Sequence, residues 1–299
     1  MKRAIATAFL ALLALQGCSM KRITTNVIGA ISTDGMVAIE GESDIEFAKE
    51  ALPPIIKTLE VLSYGNRKDV AILALLAKAY GSYTFGFVEE DILRYPVGDP
   101  RHQAAKVRAE LFYAKGRDYG VAALTTNSGM RRAMNAHFSD FKRAVSGLGK
   151  KYTAALFWTA FNWANWINLN RDDPVAIVAM PKIQAMIDRV IELAPNFFYG
   201  SAHAFKGVLA CSRPEMLGGN YSLAQQEFSV AMGEAPNYLM NKVLYAQYFA
   251  RQMNDRPLFR DELTKVIQAD AGALPEQVLS NELAKRRAKI LLKMERKLF

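Results

Sequence analysis

Few residues in this chain could do chemistry, and their spacing says of what kind. His102, His137 and His203 lie far apart, and none has an acidic neighbour at metal-ligand spacing. No Ser-His-Asp order, nucleophile elbow or phosphate-cradling loop occurs. Gly218-Gly219 reads as a turn. Cys211 ends the apolar helical run Phe205–Ala210 and reads as a small buried hydrophobe rather than a nucleophile. These observations point away from an enzyme and from any metal or cofactor. What remains is one helix, 150–169, that holds all three tryptophans. At 3.6 residues per turn, Trp158, Asn162, Asn165, Trp166 and Leu169 are read onto one face. The helix is apolar all round, which places it at the centre of a fold. Two carboxamides between two indoles on a buried face need partners or a wet cavity. The expectation is that Trp158, Asn162, Asn165 and Trp166 line an elongated, mostly apolar cavity for a hydrophobic or amphipathic ligand. The alternative is a core helix whose amides are satisfied locally.

Cys18 carries a different chemistry. Lys2 and Arg3 precede an apolar run from Ala4 to Leu15, broken only by Thr7, and Leu15-Gln16-Gly17-Cys18 follows. That is a charged start, a short apolar stretch and a small-residue cleavage site. A permanent membrane span needs about 20 apolar residues, so the run is too short to be one. Its end resembles a bacterial lipobox, in which cleavage leaves the cysteine as the new N-terminus and its thiol carries diacylglycerol. The expected organisation is a signal peptide at 1–17, a lipidated tether at 18–42 and a single helical body at 43–299. Ser19, rather than aspartate, after the cysteine points to the periplasmic side of the outer membrane. No later segment reads as transmembrane in length.

The 299 residues are 51% apolar, enough for a sizeable core. The formal charge of +9 falls to +7 once Lys2 and Arg3 leave with the signal. Much of the excess crowds the last helix, at Lys285, Arg286, Arg287, Lys289, Lys293, Arg296 and Lys297. In that helix Leu279, Leu283, Ile290, Met294 and Leu298 form an apolar stripe, with Lys285, Lys289, Lys293 and Arg296 roughly opposite. This reads as a solvated face on a docked helix, with attraction to anionic headgroups or an acidic partner as the rival. A nucleic-acid partner does not fit an exported lipoprotein. With Cys18 acylated, Cys211 stands alone and no disulfide framework exists.

The elements that must position these residues are helices. Ser43-Asp44-Ile45-Glu46 is a capping-box pattern and starts one at Ser43. Helical periodicity then runs almost without a break, and alternating strands are absent. The pattern predicts a dozen helices, among them 99–115, 118–128, 130–146, 150–169, 198–212 and 275–298. Pro53-Pro54 interrupts the first and Met180-Pro181 the seventh. Residues 86–98 are the longest non-helical stretch.

A repeat lies inside this list. Ala224, Phe228, Ala231 and Pro236 match the second helix of a tetratricopeptide repeat at every position. Tyr245, Ala246 and Phe249 suit the next first helix, and Leu73, Leu76, Ala77 and Tyr80 a lone one upstream. Ile183, Ile187, Val190 and Pro195 keep the second-helix spacing with bulkier residues, and Phe259, Leu263 and Val266 continue it. The expected fold is all-α, a TPR-like solenoid or bundle of helical hairpins.

Longer stretches carry a resemblance to a known family. They are Ala51–Glu60, the Trp-rich Phe157–Trp166, Leu217-Gly218-Gly219-Asn220, Asp255-Arg256-Pro257-Leu258-Phe259 and Asn281-Glu282-Leu283-Ala284-Lys285-Arg286-Arg287-Ala288. In this order they resemble the TatT family over roughly 45–299. That family is the lipoprotein component associated with tripartite ATP-independent periplasmic (TRAP) transporters. The resemblance implies a lipid-anchored periplasmic partner of a solute-binding subunit that helps pass a ligand towards the permease. It also implies self-association, with a trimer expected. The sequence departs from the family pattern at Asn220, where an acidic residue is expected, and at His203-Ala204, where His-Arg is expected. The rival reading is a scaffold lipoprotein that assembles an envelope complex and binds no small molecule.

Overall fold

The computed structural model describes residues 35–299, and no strand occurs among them. Cys18 and the signal peptide lie outside the described residues. Residues 35–40 are helical and dock on the body. Met36 is buried, and Glu40 pairs with Lys78 and accepts from Gln277 at 2.7 Å. Helix α1 (Ile45–Gly65) has its cap one residue later than the capping-box reading places it. The cap is the Asp44 carboxylate, which accepts from the amides of Glu46 and Phe47, both at 3.0 Å. Pro53 and Pro54 do not interrupt α1. Their rings strip a partner from the carbonyls of Lys49 and Glu50, but both residues are exposed and water can serve them.

Helix α2 (Val70–Tyr83) runs into a π-helical segment, Thr84–Val88, and then α3 (Glu89–Arg94). Most of the stretch expected to be non-helical, 86–98, is therefore helix. The continuous run Val70–Arg94 spans 25 residues and is long and apolar enough to cross a membrane, contrary to the sequence reading. Of its most apolar window 67% is buried, so in this fold it is a core helix.

Helix α4 (Pro100–Leu124) starts at an Asp99 cap with proline in its first turn and continues through Gly116 and Gly120. The sequence pattern breaks it between 115 and 118, at Gly116 and not at Gly120, since glycine weakens a helix interior. The structure shows why glycine is used. A Cβ at Gly116 would stand 2.6 Å from Asn162 Cγ, and one at Gly120 would stand 3.0 Å from Thr159 Cβ. Both partners belong to α7 (Thr153–Leu169), so the two glycines let α4 and α7 cross at close range. Between them, the segment expected as one helix at 130–146 is split into α5 (Ser128–Ala133), capped by Asn127, and α6 (Phe138–Ser146).

A single turn at Pro174–Ile177 leads to α8 (Met180–Leu193), α9 (Phe197–Cys211) and α10 (Tyr221–Glu234). Asn220 caps α10, its side chain accepting from Leu223 N at 2.9 Å. Helix α11 (Met240–Leu244) passes into a second π-helical segment, Tyr245–Ala250, followed by α12 (Arg256–Gln268) and α13 (Val278–Lys293). The triads Ile183/Ile187/Val190, Ala224/Phe228/Ala231 and Phe259/Leu263/Val266 are all fully buried. Phe228 closes on Gly207 of α9, where a Cβ would stand 2.8 Å from its ring.

Helix α7 is at the centre of the largest core, where it packs on α2, α4, α8 and α9, and residues of α5 and α6 belong to the same core. The buried face of α13 differs from the expected stripe. It carries Leu279, Ala284, Ala288, Ile290 and Leu291, and also Asn281 and Arg287, while Leu283, Met294 and Leu298 are half-buried. Asn281 is satisfied three ways, by Leu239 N at 2.9 Å, Asn237 O at 3.0 Å and Ala271 O at 3.1 Å. Lys289 and Lys293 are exposed, whereas Lys285 is half-buried and donates to Ala269 O, the end of α12, at 2.9 Å.

Candidate functional site: an aromatic cavity at three breaks in helix geometry

An apolar cavity of about 130 Å³ lies between α7, α9, α11, α13 and the first π segment. Helix α7 contributes Phe157, Trp158, Phe161 and Asn165. Phe198, Ser201, Phe205 and Val208 come from α9, and Met240, Asn241 and Leu244 from α11. A second chamber of about 230 Å³ shares Asn165, Phe205, Val208 and Tyr248 with the first and reaches Arg171 and Arg213. The walls are rings in edge contact. Trp158 meets Phe157 at 5.0 Å and 89°, Phe198 at 5.2 Å and 73°, and Phe161 at 5.4 Å and 70°. Such T-shaped pairs set the positive edge of one ring on the negative face of another and hold the wall in a fixed shape.

Three interruptions of regular helix converge on this cavity. The first π segment supplies Phe85 and Gly86, and the second supplies Tyr248. The third is the start of α9, where Phe198 (φ 45°), Tyr199 (φ 58°) and Gly200 (φ 72°) are left-handed. A left-handed turn costs about 1–2 kcal/mol for each non-glycine residue, so Phe198 and Tyr199 are held there by their surroundings. Gly200 has no alternative, because a Cβ would stand 3.0 Å from the Ala231 backbone. Asn241 pins the turn by donating from Nδ2 to Tyr199 O at 2.9 Å and to Ala231 O at 3.2 Å. π-Helical turns and strained backbone gather at functional sites, where lining side chains must be aimed off the regular lattice.

Arg287 ties the two π segments together. It is 7% exposed, its guanidinium lies 4.2 Å from the Phe85 ring centre, and it donates to Phe85 O at 3.4 Å. It also donates to Gln247 of the second π segment at 2.9 Å and to Glu89 Oε2 at 3.3 Å from both Nη1 and Nη2. Tyr113 completes the group by donating to Glu89 Oε1 at 2.7 Å. Burial and the Glu89 charge push the Tyr113 phenol well above its ordinary value, so it remains a donor.

Of the four residues expected to line the cavity, Trp158 and Asn165 do. Asn162 and Trp166 do not. Seven residues are close to two helical turns, so Trp158 and Asn165 superpose, while Asn162 and Trp166 are rotated towards α2 and α4. Asn162 is fully buried in that seam, donating to Ala77 O at 2.9 Å and Trp158 O at 2.6 Å. Trp166 is half-buried beneath the Arg117 guanidinium, 5.5 Å from the ring centre. Their places at the cavity are taken by Phe157 and Phe161. Sequence reasoning also missed Phe85, Phe198, Asn241, Tyr248 and Arg287. Only the Asn196-Phe-Phe-Tyr-Gly200 run, aromatic residues closed by a glycine, carries a local signal.

His203 contacts Glu227 Oε2 at 2.6 Å, and Lys206 bridges Glu227 and Asp188 at 3.2 and 3.3 Å. Among the described residues no group of three or more His, Cys, Asp or Glu stands where it could hold a metal.

The family model of the TRAP transporter T-component matches residues 41–299. The chain belongs to this family. It is thereby an accessory component of a TRAP transporter, an envelope transport system, and the family is not a known class of enzyme. An uncharacterized protein of Treponema pallidum (strain Nichols) is 20% identical to it, over 95% of this chain and 94% of the relative. The match spans both π segments, the left-handed turn and α13, so the cavity lies wholly within the T-component region.

Proposed function

We propose that this T-component is a lipoprotein anchored through Cys18 to the periplasmic side of the outer membrane, and that it holds a hydrophobic ligand in the cavity between α7, α9, α11 and α13. In this reading it binds the solute-binding subunit of its transporter through the outer faces of its helical hairpins, and it self-associates as a trimer. The observation that carries the ligand reading is the convergence of two π segments and one left-handed turn on a single aromatic chamber. A solid scaffold has no need to store backbone strain around empty space. The partner reading rests on family membership and on exposed apolar side chains, including Phe47, Val61 and Tyr64 on α1 and Val107 and Leu111 on α4.

Two variants test the ligand reading. Trp158→Ala should weaken binding of an apolar probe followed by the remaining tryptophan fluorescence, whereas Trp166→Ala should leave that affinity within twofold. Equal loss in both, or no binding by the native protein, defeats it. Crosslinked pull-downs from the native periplasm should enrich a solute-binding protein, and their consistent failure defeats the partner reading.

A further inference from the structure

Asn241 gives the cavity a polarity that its aromatic walls hide. The residue is fully buried and lines the chamber. Its Nδ2 faces two carbonyl oxygens, of Tyr199 and Ala231, so the amide cannot be flipped without setting oxygen against oxygen. Its Oδ1 is thus an acceptor of fixed position, and it has no partner in the protein. Native interiors seldom leave a buried acceptor unsatisfied without a reason. Asn165, shared by both chambers, is a second carboxamide in the wall. One of its Nδ2 protons goes to Phe161 O at 2.9 Å, which leaves its oxygen and its second N–H on offer. The other polar lining groups are hydroxyls and the indole of Trp158, and hydroxyls can turn to donate or accept.

Among the described residues no Asp, Glu, Lys, Arg or His lines the inner chamber. A charged group pushed into it would lose its water and gain no counter-ion. An ionised carboxylate would also bring only acceptors against the Asn241 acceptor. A pure hydrocarbon would fill the volume and leave Oδ1 unpaired. An uncharged O–H or N–H satisfies both conditions. The size agrees with one ring or a short chain, since an engineered apolar cavity of about 150 Å³ holds benzene.

Resting on the reading of this chamber as a ligand site, we infer that it selects an uncharged ligand whose apolar body carries a hydrogen-bond donor, a hydroxyl or amide N–H, set against Asn241 Oδ1. The test compares 1-octanol, its methyl ether and octanoate on the full-length protein, by titration calorimetry and tryptophan fluorescence. Octanol should bind at least about tenfold more tightly than either of the others, a gap that corresponds to one good hydrogen bond. In Asn241→Leu, where circular dichroism shows it folded, octanol and the ether should come within twofold. The comparison on the native protein decides the matter if that variant does not fold. Equal binding of octanol and ether, tightest binding of octanoate, or a tenfold preference that survives in folded Asn241→Leu would each overturn the donor rule while leaving the apolar-ligand reading standing. Binding of none of the three would remove that reading itself.

Discussion

Gly116→Ala should destabilise the protein even though alanine is the better helix former. Helices α4 and α7 cross where a Cβ on Gly116 would stand 2.6 Å from Asn162 Cγ. Asn162 has nowhere to retreat, being fully buried with its Nδ2 committed to the carbonyls of Ala77 and Trp158. Alanine gains about 1 kcal/mol of intrinsic helix preference over glycine. Overpacking a filled seam costs about 1–3 kcal/mol. Displacing the amide pulls its Nδ2 away from the Ala77 carbonyl and leaves a buried N–H unpaired, which adds about 1–3 kcal/mol. The balance is a net loss of about 3 kcal/mol. Urea unfolding should show it as a lower midpoint with an unchanged slope, because the surface exposed on unfolding is the same. Asn162→Ala makes room for the new methyl, so the Gly116→Ala penalty should shrink in that background, which a double-mutant cycle reads directly. A neutral or stabilising Gly116→Ala, or strict additivity with Asn162→Ala, would refute the close-crossing argument.

Arg287→Met alone should cost about 3–5 kcal/mol in the same assay, because it leaves Glu89 buried without its cation, and the pair Arg287→Met with Glu89→Gln should cost less. Equal penalties would show that the ion pair is not what holds the π segments. Burial pushes the Glu60 carboxyl up, but hydrogen bonds from Lys57, Tyr80 and Tyr119 outweigh it and hold its pKa below the ordinary 4.5. A carboxylate depressed in the folded state stabilises the fold above its unfolded pKa and loses that contribution as pH falls through the folded value. The stability gap between the native protein and Glu60→Gln should therefore be full at pH 7 and close below pH 4.5, and a gap that stays flat across that range contradicts the assignment. Burial also pushes the Cys211 thiol up to about 12, so iodoacetamide should modify it slowly in the folded protein and rapidly in urea, with equal rates counting against its burial.

How much of this was legible in the sequence depends on which residues report locally. Phe228 between Ala224 and Ala231 announces its helix and its buried face, because spacing at 3.6 residues per turn is a property of the segment itself. The Trp-rich helix announces its central position for the same reason. The direction in which it faces does not follow, since the choice between Phe161 and Trp166 as cavity wall is made by where α4 and α9 pack. Gly116 was misread as a break because its purpose lies on another helix, at Asn162. The π segments have no periodic signature of their own: 86–88 of the first fell into the non-helical stretch, and the second, with Tyr245, Ala246 and Phe249, reads as ordinary helix. Arg287 looked like one cation among seven in the last helix. Its role emerges only when Phe85, Gln247 and Glu89, distant in sequence, are brought around it.

The central claim is that the chamber between α7, α9, α11 and α13 is occupied by an apolar ligand. The most direct measurement is photo-crosslinking of the native protein with a diazirine-bearing medium-chain alcohol, followed by peptide mapping of the adducts. The account predicts adducts on Trp158, Phe161, Phe198, Phe205 or Tyr248, competed away by unlabelled alcohol. Adducts confined to the exposed side chains Phe47, Val61 and Tyr64, or labelling that excess unlabelled alcohol does not reduce, would contradict it.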